Sequence, residues 1–200
     1  MSLPDRRHVC IAIALGATVA PAFAAFGFDE LMATLGQRRA GEARFVEERF
    51  VSVLDRTLHY SGTLSFSAPD RLARNTLTPR PESFVVEGNQ LTLQRGERVR
   101  RLALDSMPEL DAMVTAMRGT LSGDGSALQR YFKASVQGAA PRWTLTLVPL
   151  DFRLLGVVRM LRIDGQHADV RVVELQLADG DRSVMTIDPI AAAKSRPATP

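Results

Sequence analysis

A run of alternating residues places the strongest constraint on the fold of this chain. Between Leu58 and Phe66 the larger apolar side chains fall at every second position, which is the period of a strand with one apolar and one polar face. Pro69 and Asp70 then predict a turn, because proline cannot donate to a β-ladder and aspartate favours turns. A second strand is expected over Arg71–Leu77. The stretch therefore predicts an antiparallel hairpin.

The same unit of short strand and tight turn recurs along most of the chain. We expect a long strand over Ala43–Leu54, and glycine-containing turns separate the strands that follow the first hairpin. The further expected strands are 82–87, 90–95, 98–104, 134–137, 142–148, 157–164, 170–178 and 182–187. About eleven short strands at this spacing predict a large antiparallel sheet that curls and leaves a concave face to be covered.

Helical spacing interrupts the strand pattern at the start and in the middle of the chain. Phe28, Leu31, Met32 and Leu35 predict an amphipathic helix that ends near Gly41. A second helix begins at Pro108 and carries apolar residues at helical spacing up to Leu121. A third, short helix begins at Asp124 or Ser126 and carries Leu128, Tyr131 and Phe132. These middle helices are the expected cover of the concave face. The fold class is therefore mainly β, with an unclosed sheet and about three helices.

The N-terminus has the features of a signal peptide. Arg6 and Arg7 precede the apolar run Val9–Ala20, and Ala22-Phe23-Ala24 matches a cleavage site. An uncleaved anchor is the alternative, but the run is short for the roughly 20 residues that a bilayer core requires. We expect a signal peptide at 1–24, one domain at 25–189 and a disordered tail at 190–200. The single cysteine, Cys10, lies inside the signal peptide, so neither a disulfide nor a lipid anchor is expected in the mature chain.

The composition and the few candidate catalytic residues argue against several classes of function. The chain has 46% hydrophobic and 24% charged residues and a formal net charge of +3, which is too small to indicate nucleic-acid binding. His59 and His167 are the histidines of the mature chain, and both are expected at the surface. Glu47 and Glu48 are adjacent in a strand, so they point to opposite faces and cannot share one site. We expect no catalytic residue, no metal site and no cofactor.

Arginines cluster around the strand predicted at 98–104. Arg98, Arg100 and Arg101 lie in it, and Arg95 lies across the hairpin. A charged sheet edge that resists aggregation is one interpretation, and a site for an anionic headgroup is the other.

The concave face and its helical cover suggest a lipid-binding cavity. Methionine suits surfaces that accept varied apolar shapes, and an acyl chain gains about 0.8 kcal/mol for each CH₂ that leaves water. The candidate lid residues are Leu110, Met113, Val114 and Met117. The candidate lining residues are Leu58, Tyr60, Leu64, Phe66, Leu72, Phe84, Trp143, Leu145 and Leu147.

Three motifs in this order resemble the LolA family of periplasmic lipoprotein carriers. They are S-G-x-L-x-F-x-x-P at 61–69, E-G-N-x-L at 87–91 and L-x-P at 147–149, with the helical insertion between the last two. The resemblance implies an unclosed half-barrel that is lidded by helices and binds the acyl chains of lipoproteins. It also implies an inner-membrane transporter as donor and an outer-membrane receptor as acceptor of the cargo.

One position departs from the family pattern. An arginine commonly precedes the proline matched by Pro69, where it helps to hold the empty cavity closed, and this chain has Ala68. Arg71 and Arg74 are the candidates for locking the lid or for binding a headgroup. A specialised lipid is therefore an alternative cargo to lipoproteins. A sensor of lipids or lipoproteins and a small enzyme that uses the same cavity are the alternative functions, and a monomer without nucleic-acid partners is expected.

Overall fold

The computed structural model describes residues 26–190. The expected signal peptide at 1–24 lies outside the described residues. The expected tail at 190–200 does so as well except for Ile190, which is the last residue of the final strand rather than part of a disordered tail. Within them, no helix is long and apolar enough to cross a membrane.

In the described part of the chain, eleven antiparallel strands form one curved sheet. Each strand pairs with its neighbour in the chain except where β1 pairs with β11, and β6 and β7 lie at the two ends of the sheet. The sheet is therefore unclosed, which confirms the expected fold class. The strands are β1 Ala40–Val51, β2 Arg56–Ser67, β3 Arg71–Thr78, β4 Glu82–Glu87, β5 Gln90–Arg95, β6 Arg98–Ala103, β7 Phe132–Ala139, β8 Arg142–Pro149, β9 Val158–Gln166, β10 Asp169–Leu177 and β11 Arg182–Ile190.

Within residues 26–190, four α-helices accompany the sheet, one more than expected. They are α1 Phe28–Leu35, α2 Pro108–Ser122, α3 Gly125–Tyr131 and α4 Phe152–Leu155. The additional helix, α4, is a single turn between β8 and β9 that is too short to show a periodic pattern. Its local signal is Asp151, whose carboxylate accepts hydrogen bonds from the backbone N–H groups of Arg153 and Leu154.

The first helix and the first strand differ from their expected bounds. The helix ends at Leu35 rather than near Gly41, because Gly36 packs against the backbone at the end of α2, where an added Cβ would lie 3.1 Å from the carbonyl oxygen of Ser122. The chain then enters β1 at Ala40. Ser52–Leu54, expected as the end of this strand, form a turn of 3₁₀ helix. Phe132, expected in the third helix, is instead extended and begins β7.

Two apolar clusters fill the space between the helices and the concave face. In the larger cluster, α1, α2 and α3 pack on β7 to β11 around Trp143, Leu145 and Ile163. In the smaller cluster, Val114 of α2 packs on Val86 and Leu91 of β4 and β5. The helix α2 therefore spans both halves of the sheet, and the concave space between the clusters lies beneath its second half.

Candidate ligand cavity

An apolar cavity of about 280 Å³ lies between the second half of α2 and the concave face of the sheet. An engineered apolar cavity of about 150 Å³ holds benzene, and ordinary ligand sites begin near 300 Å³. The volume therefore suits one slim apolar group. The side chains that line its apolar wall are Ala43, Leu64, Phe66, Leu72, Phe84, Met117, Leu121, Val170, Val173, Met185 and Ile187.

Strand register explains why these side chains share one surface. Residues directly opposite each other in an antiparallel pair lie on the same face. Ala43 lies opposite Leu64, and Phe66 lies opposite Leu72. The alternation of β2 therefore carries apolar side chains onto the concave face, and the register continues that face through the neighbouring strands.

Leu64, Phe66, Leu72 and Phe84, which the sequence analysis assigned to the lining, lie on the cavity wall. Leu58 and Tyr60 share their face but lie further along β2 and do not line the cavity.

The other three predicted lining residues lie elsewhere. Trp143, Leu145 and Leu147 are fully buried in the larger apolar cluster, under the helices rather than on the cavity wall. The reason is that the helices pack directly on β8 and leave no space there. Trp143 also lies against Gly165, where a Cβ would come within 2.1 Å of the indole ring. Gly165 follows the strand expected at 157–164, but it lies within β9, and this packing requires a glycine there.

The far wall of the cavity was absent from the sequence-based assignment. Val170 and Val173 of β10 and Met185 and Ile187 of β11 form it. The alternation in β11 places Met185 and Ile187 on one face of that strand. Only the pairing of β11 with β1 brings this face across the cavity from β2 and β3.

The predicted lid residues divide between three environments. Met117 lines the cavity, and Leu121, one turn further on, lines it as well. Met113 packs on the larger apolar cluster. Val114 and Leu110 pack on the smaller one. We call the helix Pro108–Ser122 the α2 lid.

A buried carboxylate lies beside Arg74, which lines the cavity. Glu47 is only 2% exposed, and it forms ion pairs with Arg74 at 2.5 Å and Arg49 at 2.9 Å and accepts a hydrogen bond from the Ser183 hydroxyl. We call these four residues the Glu47 network. Burial alone would raise the pKa of Glu47, but the Ser183 hydrogen bond and the charges of Arg74 and Arg49 outweigh burial and hold this pKa below its ordinary value.

The two predicted lid-locking arginines have other contacts. Arg74 belongs to the Glu47 network, and its guanidinium lies 4.5 Å from the centre of the Phe45 ring. Arg71 lies at the cavity mouth, in a wider hollow of about 900 Å³ that Arg38, Asp169 and Arg171 also line.

The α2 lid is instead joined to the sheet by its own arginine. The Arg118 guanidinium donates to the carbonyl oxygen of Gly88 at 2.9 Å. Burial lowers the pKa of Arg118 although Asp70 and Asp111 act in the opposite direction. No local sequence pattern predicts this contact, because it depends on where α2 crosses the β4–β5 turn.

The polar chemistry of the described part of the chain is sparse. His59 is exposed beside Glu48, and His167 occupies a turn in which its carbonyl accepts a hydrogen bond from the Trp143 indole. Among residues 26–190, no group of three or more histidine, aspartate or glutamate residues is placed to hold a metal ion.

The fold and the cavity together define a half-barrel protein with a helical lid over an apolar concave surface. A family model described as outer membrane lipoprotein carrier protein LolA-like matches residues 20–199. The chain therefore belongs to this LolA-like family, whose members are in general binding or carrier proteins.

Solved structures give more distant likenesses. A LolA superfamily protein from Nitrosomonas europaea is 9% identical, with 84% of this chain and 94% of that chain covered and a TM-score of 0.44. The MucA/MucB complex of Pseudomonas aeruginosa contains a chain that is 14% identical, with 84% and 59% covered and a TM-score of 0.44. LprF from Mycobacterium bovis is 10% identical, with 83% and 94% covered and a TM-score of 0.37. No curated protein matches the chain. These likenesses are too distant to bear on its function.

Proposed function

We propose that the chain is a non-enzymatic periplasmic carrier that holds an acyl chain of a lipoprotein or lipid in the cavity and shuttles it from the inner to the outer membrane. The observation that carries this proposal is the apolar cavity beneath the α2 lid. Transfer of an acyl chain into it gains about 0.8 kcal/mol for each buried CH₂. Donor and acceptor are an inner-membrane transporter and an outer-membrane receptor, as membership of the family suggests, and the carrier acts as a monomer.

The first test is native mass spectrometry of the protein purified from the periplasm of its own host. Ligands that co-purify are identified after denaturation. We expect an acylated peptide or a lipid at unit stoichiometry, which would also identify the cargo. A protein that carries no ligand and does not bind an added acyl probe would contradict the proposal.

A matched pair of variants tests whether the cavity is the binding site. Met117 lines the cavity, whereas Met160 lies on the opposite face of β9 from the buried Leu161. In Met117→Glu a carboxylate enters the apolar cavity, so we expect binding of a fluorescent acyl probe to weaken at least about tenfold. Met160→Glu adds the same charge outside the cavity and should leave the affinity within about twofold. Equal affinities in the two variants would place the probe elsewhere.

A further inference from the structure

The register of β1 to β6 continues the cavity wall to the edge of the sheet. Arg74 and Phe84 line the cavity and lie opposite each other. Phe84 lies opposite Leu93, and Leu93 lies opposite Arg100 of the edge strand β6. These four side chains therefore share the concave face, because directly opposed residues lie on the same side of an antiparallel pair.

Charge is unequally divided between the two faces of this half of the sheet. In β1 to β6 the register places three arginines and three glutamates on the convex face: Arg44, Arg71, Arg101, Glu42, Glu48 and Glu87. It places six arginines and only two glutamates on the concave face: Arg49, Arg56, Arg74, Arg95, Arg98, Arg100, Glu47 and Glu82. The arginine side chains of the concave set are called the basic strip below.

The two concave glutamates neutralise only part of the basic strip. Glu47 pairs with Arg74 and Arg49, and Glu82 pairs with Arg95 at 2.9 Å. Arg98 and Arg100 are exposed and form no ion pair with any residue in 26–190. Arg56, at the start of β2, is likewise exposed and forms no ion pair within residues 26–190, but Arg98 and Arg100 lie on one face of a single strand, so the unpaired positive charge is densest at the β6 end of the concave face.

Two apolar side chains lie between these arginines and the cavity. Phe84 and Leu93 are half-buried, and both pack against the smaller apolar cluster under the first half of the α2 lid. A ligand can therefore keep its apolar part in the cavity and extend across Phe84 and Leu93 to Arg100 without crossing a polar barrier. An acidic protein partner would interact with the arginines of the basic strip, but the apolar connection between the strip and the cavity would contribute nothing to its binding.

We propose that the cavity and the basic strip form one site for an anionic amphiphile, with the acyl chain in the cavity and a phosphate or other anionic headgroup on Arg98 and Arg100. This inference rests on the proposed acyl-chain binding and adds the class of headgroup. Guanidinium groups suit this ligand, because they donate paired hydrogen bonds to phosphate and carboxylate oxygens.

The test compares three ligands with one acyl chain and different heads: lysophosphatidylglycerol, lysophosphatidylcholine and monoacylglycerol. Their affinities for the purified protein are measured by displacement of a fluorescent acyl probe, below the micelle concentration. We expect the anionic ligand to bind about tenfold more tightly than the other two, and added salt to reduce this preference.

Two double variants test which arginines produce the preference for the anionic ligand. In Arg98→Gln with Arg100→Gln, we expect the affinity for lysophosphatidylglycerol to fall about tenfold and that for monoacylglycerol to stay within about twofold. The control, Arg44→Gln with Arg101→Gln, removes two exposed convex arginines, and both affinities should stay within about twofold. The control has the same net charge as the first variant, so a general effect of charge would appear in both.

Three outcomes would overturn the inference. They are equal affinities for the three ligands, equal losses in the two double variants, and tight binding of a soluble peptide of eight glutamates, which would favour a protein partner. Failure of monoacylglycerol to bind the unaltered protein would instead contradict the proposed acyl-chain binding, so the two proposals can fail separately.

Discussion

Glu47 is a buried charged side chain on the concave face of β1. Its neighbour Glu48 is exposed on the other face of β1, as the strand period requires. The hydrogen bond from Ser183 and the charges of Arg74 and Arg49 compensate the burial of the carboxylate. The Glu47 network therefore supplies this buried carboxylate with a hydrogen-bond donor and two counter-charges.

Replacement of Glu47 should destabilise the fold in a pH-dependent way. Glu47→Gln leaves Arg74 without its counter-charge, so we expect a loss of about 1–3 kcal/mol in the free energy of unfolding at pH 7. The folded-state pKa is lowered from 4.5, so this stabilisation is complete above that value and is lost as the pH falls through the folded-state pKa. Urea titrations at pH 7 and pH 3 measure both effects.

Glu48→Gln is the control for this prediction. It removes an exposed carboxylate from the same strand and should change the stability by less than about 0.5 kcal/mol. A Glu47→Gln protein with unchanged stability at pH 7 would show that the network contributes nothing to the fold.

Gly62 allows two strands and an aromatic ring to approach closely. A Cβ at this position would lie 1.9 Å from the carbonyl oxygen of Asn75 and 3.0 Å from the Phe45 ring. Gly62→Ala should therefore destabilise the protein by about 2 kcal/mol or more, measured by thermal unfolding. Gly41→Ala is the matched control, because its Cβ would meet nothing closer than 3.6 Å. Similar melting temperatures in the two variants would argue against the close approach.

At the scale of elements, the α2 lid is held at its two ends in different ways. Its first half packs on the smaller apolar cluster, whereas its second half lies over the cavity and has Arg118 as its polar connection to the β4–β5 turn. Ala116 and Thr120 of the second half are buried against the rest of the structure, whereas Met117 and Leu121 face the cavity, so these two side chains are the part of the lid that can move when a ligand enters.

Removal of the Arg118 contact should loosen the lid. We expect Arg118→Gln to increase amide hydrogen exchange in 115–122 by roughly fivefold, since one hydrogen bond from a charged group contributes about 1 kcal/mol or more. Arg130→Gln, on the exposed side of α3, should leave this exchange unchanged. Equal exchange in both variants would assign the lid's position to apolar packing alone.

At the scale of the whole molecule, export is the prediction on which the proposed route depends. The chain expressed in a Gram-negative host should be recovered from the periplasm with an intact mass that corresponds to a start at Ala25. Ala24→Asp should block processing, because the cleavage site requires a small residue, and the unprocessed mass should persist. A full-length mass in the unaltered protein would favour an N-terminal anchor.

Much of the fold follows from local patterns. The alternation over Leu58–Phe66 and the turn glycines predict the strands, and the helical spacing after Pro108 predicts the α2 lid, because these periods depend on backbone geometry alone. The single turn of α4 and the early end of α1 were missed, since one is too short for a period and the other is set by the packing of Gly36 against α2.

The sequence alone predicted which residues of a regular strand share a face, because the side-chain period of a strand is two. Only the tertiary structure decided which part of that face is a cavity and which part is core. Leu64 and Trp143 both lie on the concave face, yet Leu64 borders open space and Trp143 lies beneath helices. The physical reason is that the path of α2, and the pairing of β1 with β11, are fixed by contacts between residues distant in the chain, which no local period encodes.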